Sequence, residues 1–285
     1  MTKVNRVGFV IKPHALNIER ILGDLTGYFK KKGIECILED VASQKLQRKD
    51  GIPREQIPKS VDMVLVLGGD GTLLSVAHLA AQEDIPVLGV NLGSLGFLTE
   101  IPLDEMYLTL ESFLDGNQEI VNSRQMLKAK TKDKTYYCLN DVVINKGALA
   151  RMIQCEIWID GKKIATAKAD GLIISTPTGS TAYSLAAGGP IIQPNIPAII
   201  LVPICPHALT FRPMVISSKS VVKVKLGTGG EEVNLTLDGQ RGGLLEKDDV
   251  VTVTRSELIL QLISSPKRNY FDLLQEKLGW AKIAS

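Results

Sequence analysis

Residues 63–72 of the chain are Met-Val-Leu-Val-Leu-Gly-Gly-Asp-Gly-Thr, and this stretch decides the fold. The unbroken apolar run Met63–Leu67 is typical of a parallel strand that is buried on both faces. A glycine-rich turn follows, and Leu73–Ala81 is predicted to form a helix. Because ligands of an open α/β sheet bind at the carboxyl ends of its strands, this turn is a candidate ligand site.

The turn combines three glycines with a single carboxylate, that of Asp70. Gly68, Gly69 and Gly71 let the backbone approach a phosphate closely, and the helix that follows offers free N–H groups to an anion. A carboxylate would repel phosphate, so Asp70 needs another role, as a general base, a metal ligand or a hydroxyl acceptor. The structural alternative is that Asp70 caps the helix.

Strand and helix patterns alternate along the first 125 residues, which predicts a doubly wound parallel sheet. The predicted elements are the strands Val4–Ile11, Ile34–Leu38 and Pro86–Val90 and the helical stripes that begin at Ile18 and Leu103. The polar segment Ala42–Ser60 contains glycine and prolines and is predicted to be a loop, which can be mobile.

Farther along the chain, apolar and polar residues alternate with a period of two, which predicts antiparallel strands. The expected division is an α/β domain over 1–125, a β-rich domain over 126–268, and a helical end, 269–285, that packs back on the first domain.

Two further motifs carry side chains suited to a polyhydroxylated or phosphorylated ligand. In the second half of the chain, Asp170 precedes an apolar strand, and six of the nine residues from Ser175 to Tyr183 carry hydroxyls. Asn140 and Asp141 precede another strand and could clamp a ribose diol. The structural alternatives are a capped turn for the first motif and an ordinary turn for the second.

Composition and charge exclude several classes of protein. The 285 residues are 45% hydrophobic with a net charge of +2, which is too balanced for an obligate nucleic-acid binder. The amino-terminal residues lack a signal-peptide core, and the run Ala198–Cys205 is too short to cross a membrane. The four cysteines form no CxxC pair and the three histidines form no ligand pair, so we expect a cytoplasmic protein without a protein-built metal site.

The motifs together resemble the bacterial NAD kinases. The resemblance rests on Gly-Gly-Asp-Gly-Thr at 68–72, Leu-Gly-Ser-Leu-Gly-Phe-Leu-Thr at 92–99, Asn140-Asp141, Thr-Pro-Thr-Gly-Ser-Thr-Ala-Tyr at 176–183, and Asp-Gly-Gln at 238–240. The first motif alone is similar to loops of lipid kinases and phosphofructokinases, whereas the segment 176–183 is specific. The resemblance implies a Rossmann-like α/β domain, a β-rich domain and a site between them.

The resemblance also implies a reaction and its partners. ATP or polyphosphate, with Mg²⁺ or another divalent cation, would phosphorylate the 2′-hydroxyl of the adenosine ribose of NAD and give NADP. A cytoplasmic homodimer or homotetramer is expected, with no nucleic acid and no membrane among its partners. Whether NADH is also accepted, and whether NADPH gives feedback, stays open.

Carried onto this sequence, the family's site has Asp70 as the catalytic proton acceptor. Asn140 and Asp141 would hold ribose hydroxyls, and Asp170 would bind the nicotinamide half. The remaining binding residues are Gly68, Gly69, Gly71, Thr72, Phe97, Arg151, Lys168, Thr181, Ala182, Tyr183, Ser184, Leu185, Ala186 and Gln240.

One residue of this chain departs from the common family pattern. Many members have Asn-Glu where this chain has Asn140-Asp141, so the acidic side chain is one methylene shorter here.

Two alternatives to the NAD kinase function remain. They are a lipid kinase of the diacylglycerol or sphingosine type and a non-catalytic NAD(P)-sensing module.

Overall fold

The structure is a computed structural model that describes residues 3–147, 152–227 and 232–279. The chain divides into two compact units. The first consists of Met1–Ser123 together with Leu260–Ser285, and the second is Arg124–Ile259.

The first unit is built on parallel strands with helices between them. Its elements before residue 120 are β1 (Arg6–Ile11), α1 (Ile18–Lys31), β2 (Glu35–Leu38), α2 (Asp40–Lys45), β3 (Met63–Gly68), α3 (Asp70–Gln82), β4 (Val87–Asn91), β5 (Ile101–Pro102) and α4 (Met106–Leu114). Short 3-10 turns lie at Arg54–Gln56, Pro58–Ser60 and Leu103–Glu105. The predicted α/β class of this half is confirmed.

The parallel sheet has the strand order β2-β1-β3-β4. The chain moves from β1 to β2 on one side and then to β3 on the other side of β1. The carboxyl ends of β1 and β3 therefore form a topological switch point, the usual place for a ligand in such a sheet. The turn after Gly68 lies at this point.

The helices of this unit follow from their apolar spacing. Ile18, Leu22, Leu25 and Phe29 fall on one face of α1 and are all buried, because residues three and four apart share a helix face. Phe29 packs edge-on against Phe9 of β1.

The second unit is β-rich, as predicted. Its elements are β6 (Val121–Lys130), which starts just before the unit, β7 (Thr135–Cys138), β8 (Asp141–Lys146), β9 (Ile153–Ile159), β10 (Lys162–Ala169), β11 (Gly171–Ser175), α5 (Tyr183–Ala186), β12 (Ala198–Ile204), β13 (Met214–Ser217), β14 (Val222–Leu226), β15 (Val233–Leu237), β16 (Gln240–Leu245) and most of β17 (Val250–Ile263). A 3-10 turn lies at Thr178–Thr181.

Two antiparallel layers enclose the core of the second unit. One has the order β13-β12-β11-β8-β15-β16, and the other contains β10-β9-β14-β17. The alternating pattern of β9 buries Ile153, Cys155 and Ile157 and leaves its polar residues partly exposed. Such alternation is what a strand with one buried face requires.

The final segment of the chain belongs to the first unit. Leu262 and Ile263 pair in parallel with Val87 and Leu88 of β4. The helix α6 (Tyr270–Leu278) follows and buries Leu273 and Leu274. A capping box between Asn269 and Asp272 fixes the start of this helix.

The segment predicted to be a loop, Ala42–Ser60, is more regular than its composition indicates. Its first residues lie in α2, which begins at Asp40 and ends at Lys45. The reason is a buried anchor, since Glu39 at the start of α2 accepts a 2.6 Å hydrogen bond from the Ile11 amide and pairs with Arg54 at 2.7 Å. This ion pair joins the residue just before α2 to a residue inside the segment and so holds the segment in place.

Candidate functional site

The glycines of the turn at 68–72 differ in the space around them. A Cβ on Gly68 would lie 2.6 Å from the hydroxyl of Thr72, so this position has no room for a side chain. At Gly69 and Gly71 a Cβ would meet nothing within 4 Å. These two positions leave open space at the amino-terminal end of α3, where free N–H groups and the helix dipole favour an anion.

Asp70 is the first residue of α3, and its carboxylate is held by a second turn of the same unit. Oδ2 accepts from the amide of Phe97 at 2.9 Å. Oδ1 accepts from the amides of Leu98 at 3.1 Å and Thr99 at 2.9 Å, and from the Thr99 hydroxyl at 2.9 Å. Gly69 is the N-cap of α3 and makes no side-chain cap, so the capping alternative for Asp70 is not what the structure shows.

These four donors fix the direction of the Asp70 carboxylate. Oδ1 is saturated with three donors, whereas Oδ2 has one donor and keeps acceptor capacity. Gly96 makes these four hydrogen bonds possible, because a Cβ at this position would lie 1.9 Å from Asp70 Oδ1. Thr99 is a functional residue that the sequence analysis missed, although it closes the quoted segment 92–99.

Phe97, a predicted binding residue, is half-buried in the same turn. The Nζ atom of Lys277 on α6 lies 5.6 Å from the centre of its ring. The turn thus brings two predicted site residues of the first unit, Phe97 and Asp70, next to each other.

In the second unit, Asn140 lies between β7 and β8, Asp141 is the first residue of β8, and Asp238 contacts the backbone of both. The Asp238 carboxylate accepts from the amides of Leu139 and Asn140 at 2.7 Å and of Asp141 at 3.1 Å. Asp238 lies in the hairpin turn between β15 and β16 with φ of 49°. The sequence analysis predicts no site role for Asp238, because an Asp-Gly pair indicates a hairpin turn and carries no information on a contact 97 positions away.

Burial gives this carboxylate pair unusual titration. Asp141 is 4% exposed, and burial, followed by the charge of Asp238, raises its pKa to about 7. Burial also raises the pKa of Asp238, against the opposing effect of its three backbone hydrogen bonds. Perturbed carboxyl groups of this kind are common at functional sites. Asn140, beside Asp141, is 9% exposed.

Most hydroxyls of the motif 175–183 make hydrogen bonds inside the second unit. Ser175 and Thr176 donate to the carbonyls of Asn140 and Leu139 at 3.1 Å and 2.6 Å. Ser180 donates to the Pro177 carbonyl at 2.6 Å. Thr181 donates to the Thr178 carbonyl at 3.3 Å. Four of the six hydroxyls therefore make hydrogen bonds inside the unit, which corrects the interpretation of the whole cluster as ligand donors.

Of the other two hydroxyls of the motif, Thr178 Oγ1 is buried with no hydrogen-bond partner among the described residues. Tyr183 is 45% exposed. Thr181, Ala182 and Leu185 are partly exposed, and Ala186 is exposed. Ser184 is buried, and its Oγ atom has no hydrogen-bond partner among the described residues.

The remaining predicted residues are more scattered. Asp170 forms a 3.0 Å ion pair with Lys146. Lys168 is exposed and lines a groove of about 540 Å³ with His207, and Gln240 starts β16 two residues after Asp238. Arg151 lies outside the described residues.

The described residues contain neither a cluster of metal-ligating side chains nor a helix suited to a membrane. Over residues 3–147, 152–227 and 232–279, no three His, Cys, Asp or Glu side chains gather in a way that could hold a metal ion. In the same ranges, no helix has the length and apolar character needed to span a membrane.

Comparison with known proteins places both halves of the chain. Residues 7–118 match the model of the ATP-NAD kinase N-terminal domain, and residues 139–265 match that of the ATP-NAD kinase C-terminal domain. A protein of Geobacter sulfurreducens named NAD kinase is 46% identical, over 98% of this chain and all of the relative. Another from Syntrophotalea carbinolica with the same name is 43% identical, over 98% of this chain and all of the relative.

Solved structures agree. A yeast NADH kinase crystallised with NADH has a TM-score of 0.90 and 26% identity, over all of this chain and 90% of the yeast chain. An NAD kinase from Archaeoglobus fulgidus, crystallised with ATP, shares the fold, with a TM-score of 0.76, 24% identity, and coverage of 96% of this chain and 98% of that one. The chain belongs to the NAD kinase family.

Proposed function

We propose that this chain transfers the terminal phosphate of ATP to the 2′-hydroxyl of the adenosine ribose of NAD, giving NADP and ADP. Membership of the family supports the reaction, and one observation carries the mechanism. Asp70 is a carboxylate aimed by four hydrogen bonds, and it stands beside two open glycine positions at a helix N-terminus. Binding of phosphate alone gives no reason to place a carboxylate there.

The chemistry assigned to the first unit is proton acceptance beside bound phosphate. The ribose oxygen forms a bond to the γ-phosphorus, the bond from that phosphorus to the ADP oxygen breaks, and the hydroxyl proton passes to Asp70 Oδ2. Gly69 and Gly71 give phosphate oxygens access to the N–H groups at the start of α3. Gly68 and Thr72 keep the turn in shape.

The second unit is proposed to hold the dinucleotide. The Asn140 amide and the Asp141 carboxyl bind ribose hydroxyls, with Asp238 fixing their backbone. Asp170 binds the nicotinamide half, where Lys146 limits its movement. The other proposed contacts are Phe97, Arg151, Lys168, Thr181, Ala182, Tyr183, Ser184, Leu185, Ala186 and Gln240.

A divalent cation, Mg²⁺ in the first place, fits this donor set. Magnesium keeps several waters and usually takes one or two protein carboxylates together with substrate phosphates. Because Oδ2 of Asp70 is assigned to the ribose proton, water and the phosphates of the donor would supply the ligands of the ion. When bound, the ion would neutralise charge on the transferring phosphates.

The oligomeric state, the cellular location and the range of donors and acceptors are proposals that rest on the family resemblance. We propose a homodimer or homotetramer and a cytoplasmic location, which the four free cysteines favour. Polyphosphate is a second donor to test. NADH is a second acceptor to test, because the yeast relative was crystallised with it.

The test is NADP formation by the purified protein with NAD, Mg²⁺ and either ATP or polyphosphate. Asp70→Asn should abolish turnover and leave NAD binding within about tenfold, or ~1.4 kcal/mol. Asp84→Asn is the matched control, since Asp84 follows the other end of α3 with φ of 51°, a conformation that asparagine tolerates.

Each outcome separates the candidate functions. Product from the wild type and the control, but not from Asp70→Asn, supports the proposal. A loss of NAD binding equal to the loss of rate would argue against the proton-acceptor role. NAD binding without product from either donor favours a sensing module, and neither binding nor product favours a lipid kinase.

A further inference from the structure

The carboxyl-terminal helix α6 is fastened to the segment that holds Asp70. Arg268, just before the helix, pairs with Glu105 at 2.6 Å. Ser265 donates its amide to Glu100 at 2.9 Å and its hydroxyl to Glu105 at 3.1 Å. Both acidic partners lie a few residues beyond the turn at 96–99, so α6 has a defined position over it.

Lys277, in the last turn of α6, contacts that turn on both sides of Gly96. Its Nζ atom donates a hydrogen bond to the carbonyl of Leu95. The same atom lies 5.6 Å from the centre of the Phe97 ring, within cation–π range. A lysine near a helix C-terminus is common because it opposes the helix dipole, but that role requires no contact with a distant segment.

The turn that Lys277 contacts is the one that orients the Asp70 carboxylate. The amides of Phe97, Leu98 and Thr99 and the Thr99 hydroxyl are the four donors to the Asp70 carboxylate. A shift of this turn would therefore move the carboxylate. Misplacement of a reacting group by about 1 Å can cost about 10²-fold in rate.

We propose that Lys277 is a positioning residue for Asp70, acting through the turn 95–99. The inference rests on the proposed function, in which Asp70 accepts the ribose proton. Lys277 does not touch the reacting atoms. It fixes the Leu95 carbonyl and the Phe97 ring, and the backbone between them then presents its amides to Asp70 in one arrangement.

The decisive variant is Lys277→Met, which keeps the aliphatic stem and removes the charged donor. We expect kcat to fall about tenfold, with little change in the KM for ATP and in the thermal midpoint. Lys277→Arg, which restores a donor and a cation, should recover most of the rate. Glu276→Gln is the matched control, because Glu276 is the neighbouring residue on α6 and its contact is with Arg268.

A double-mutant cycle tests whether the effect passes through the turn. Thr99→Val removes one donor to Asp70 and should itself lower kcat. If Lys277 acts through this turn, the two substitutions together should cost less than the product of their separate effects. Multiplicative effects would overturn the positioning role.

Hydrogen exchange provides a readout that does not depend on turnover. In Lys277→Met the amides of residues 97–99 should exchange faster, while those of β1 keep their wild-type rates. Unchanged exchange and unchanged kcat would overturn the inference and leave the proposed function standing. If the wild type formed no NADP, the proposed function would fail, and the exchange rates would still decide whether Lys277 holds the turn.

Discussion

At the scale of single residues, the Asp141 and Asp238 pair makes the stability of the chain depend on pH. Burial and the charge of Asp238 raise the pKa of Asp141 from 3.8 to about 7. Between these values the folded chain binds more protons than the unfolded chain, so the free energy of unfolding falls as pH rises and levels off above pH ~7. The slope of one such group is at most about 1.4 kcal/mol per pH unit.

Asp141→Asn should flatten that dependence. The amide cannot ionise, so the variant releases no proton at position 141 as the pH rises. Urea unfolding at pH ~5.5 and ~8 measures the effect, and the loss of stability between these values should be clearly smaller in the variant than in the wild type. Equal losses in both proteins would show that Asp141 does not titrate in this range.

At the scale of elements, the ion pair between Glu39 and Arg54 holds the segment 42–60 in place. Glu39 is almost fully buried, and Arg54 also donates to the Ser75 hydroxyl of α3 at 2.9 Å. The pair joins the start of α2 to the helix that follows the glycine turn. The segment is polar and contains glycine and prolines, so it buries few apolar side chains. The ion pair holds it in place instead.

Arg54→Met should destabilise the protein by about 3 kcal/mol, because it leaves Glu39 buried without its partner. Arg48→Met is the control, since the pair of Arg48 with Asp50 is exposed and should contribute about 1 kcal/mol or less. Chemical denaturation of the two variants gives the comparison. Similar losses in both would mean that the buried pair has no special role in ordering the segment.

At the scale of the whole molecule, local patterns predicted the elements but not the contacts between distant ones. The buried run Met63–Leu67 and the stripe that begins at Ile18 have periodicities that burial imposes directly. The hydrogen bonds to Asp70 come from a turn 27 to 29 positions away. The hydrogen bonds that Asp238 accepts from residues 139–141 span 97 to 99 positions. Periodicity carries no information on such pairs, and a density of hydroxyls does not say which of them point inward.

The two ends of the chain meet in one unit, and this predicts the effect of a truncation. The segment after Ser264 contributes the ion pair of Arg268 with Glu105 and the buried side chains of Leu273 and Leu274. Burial of two leucines stabilises by about 4 kcal/mol, and about 1 kcal/mol corresponds to roughly 2–4 °C in a domain of ~150–250 residues.

Ending the chain at Ser264 should therefore lower the thermal midpoint of the first unit by about 10 °C. Because the core of the second unit consists of residues between 124 and 259, amide exchange in its strands should keep the wild-type pattern. Calorimetry together with exchange measures both effects. A midpoint within about 2 °C of wild type would mean that α6 adds little to the stability of the first unit, and any loss of rate on truncation would then reflect positioning of the turn at 95–99 alone.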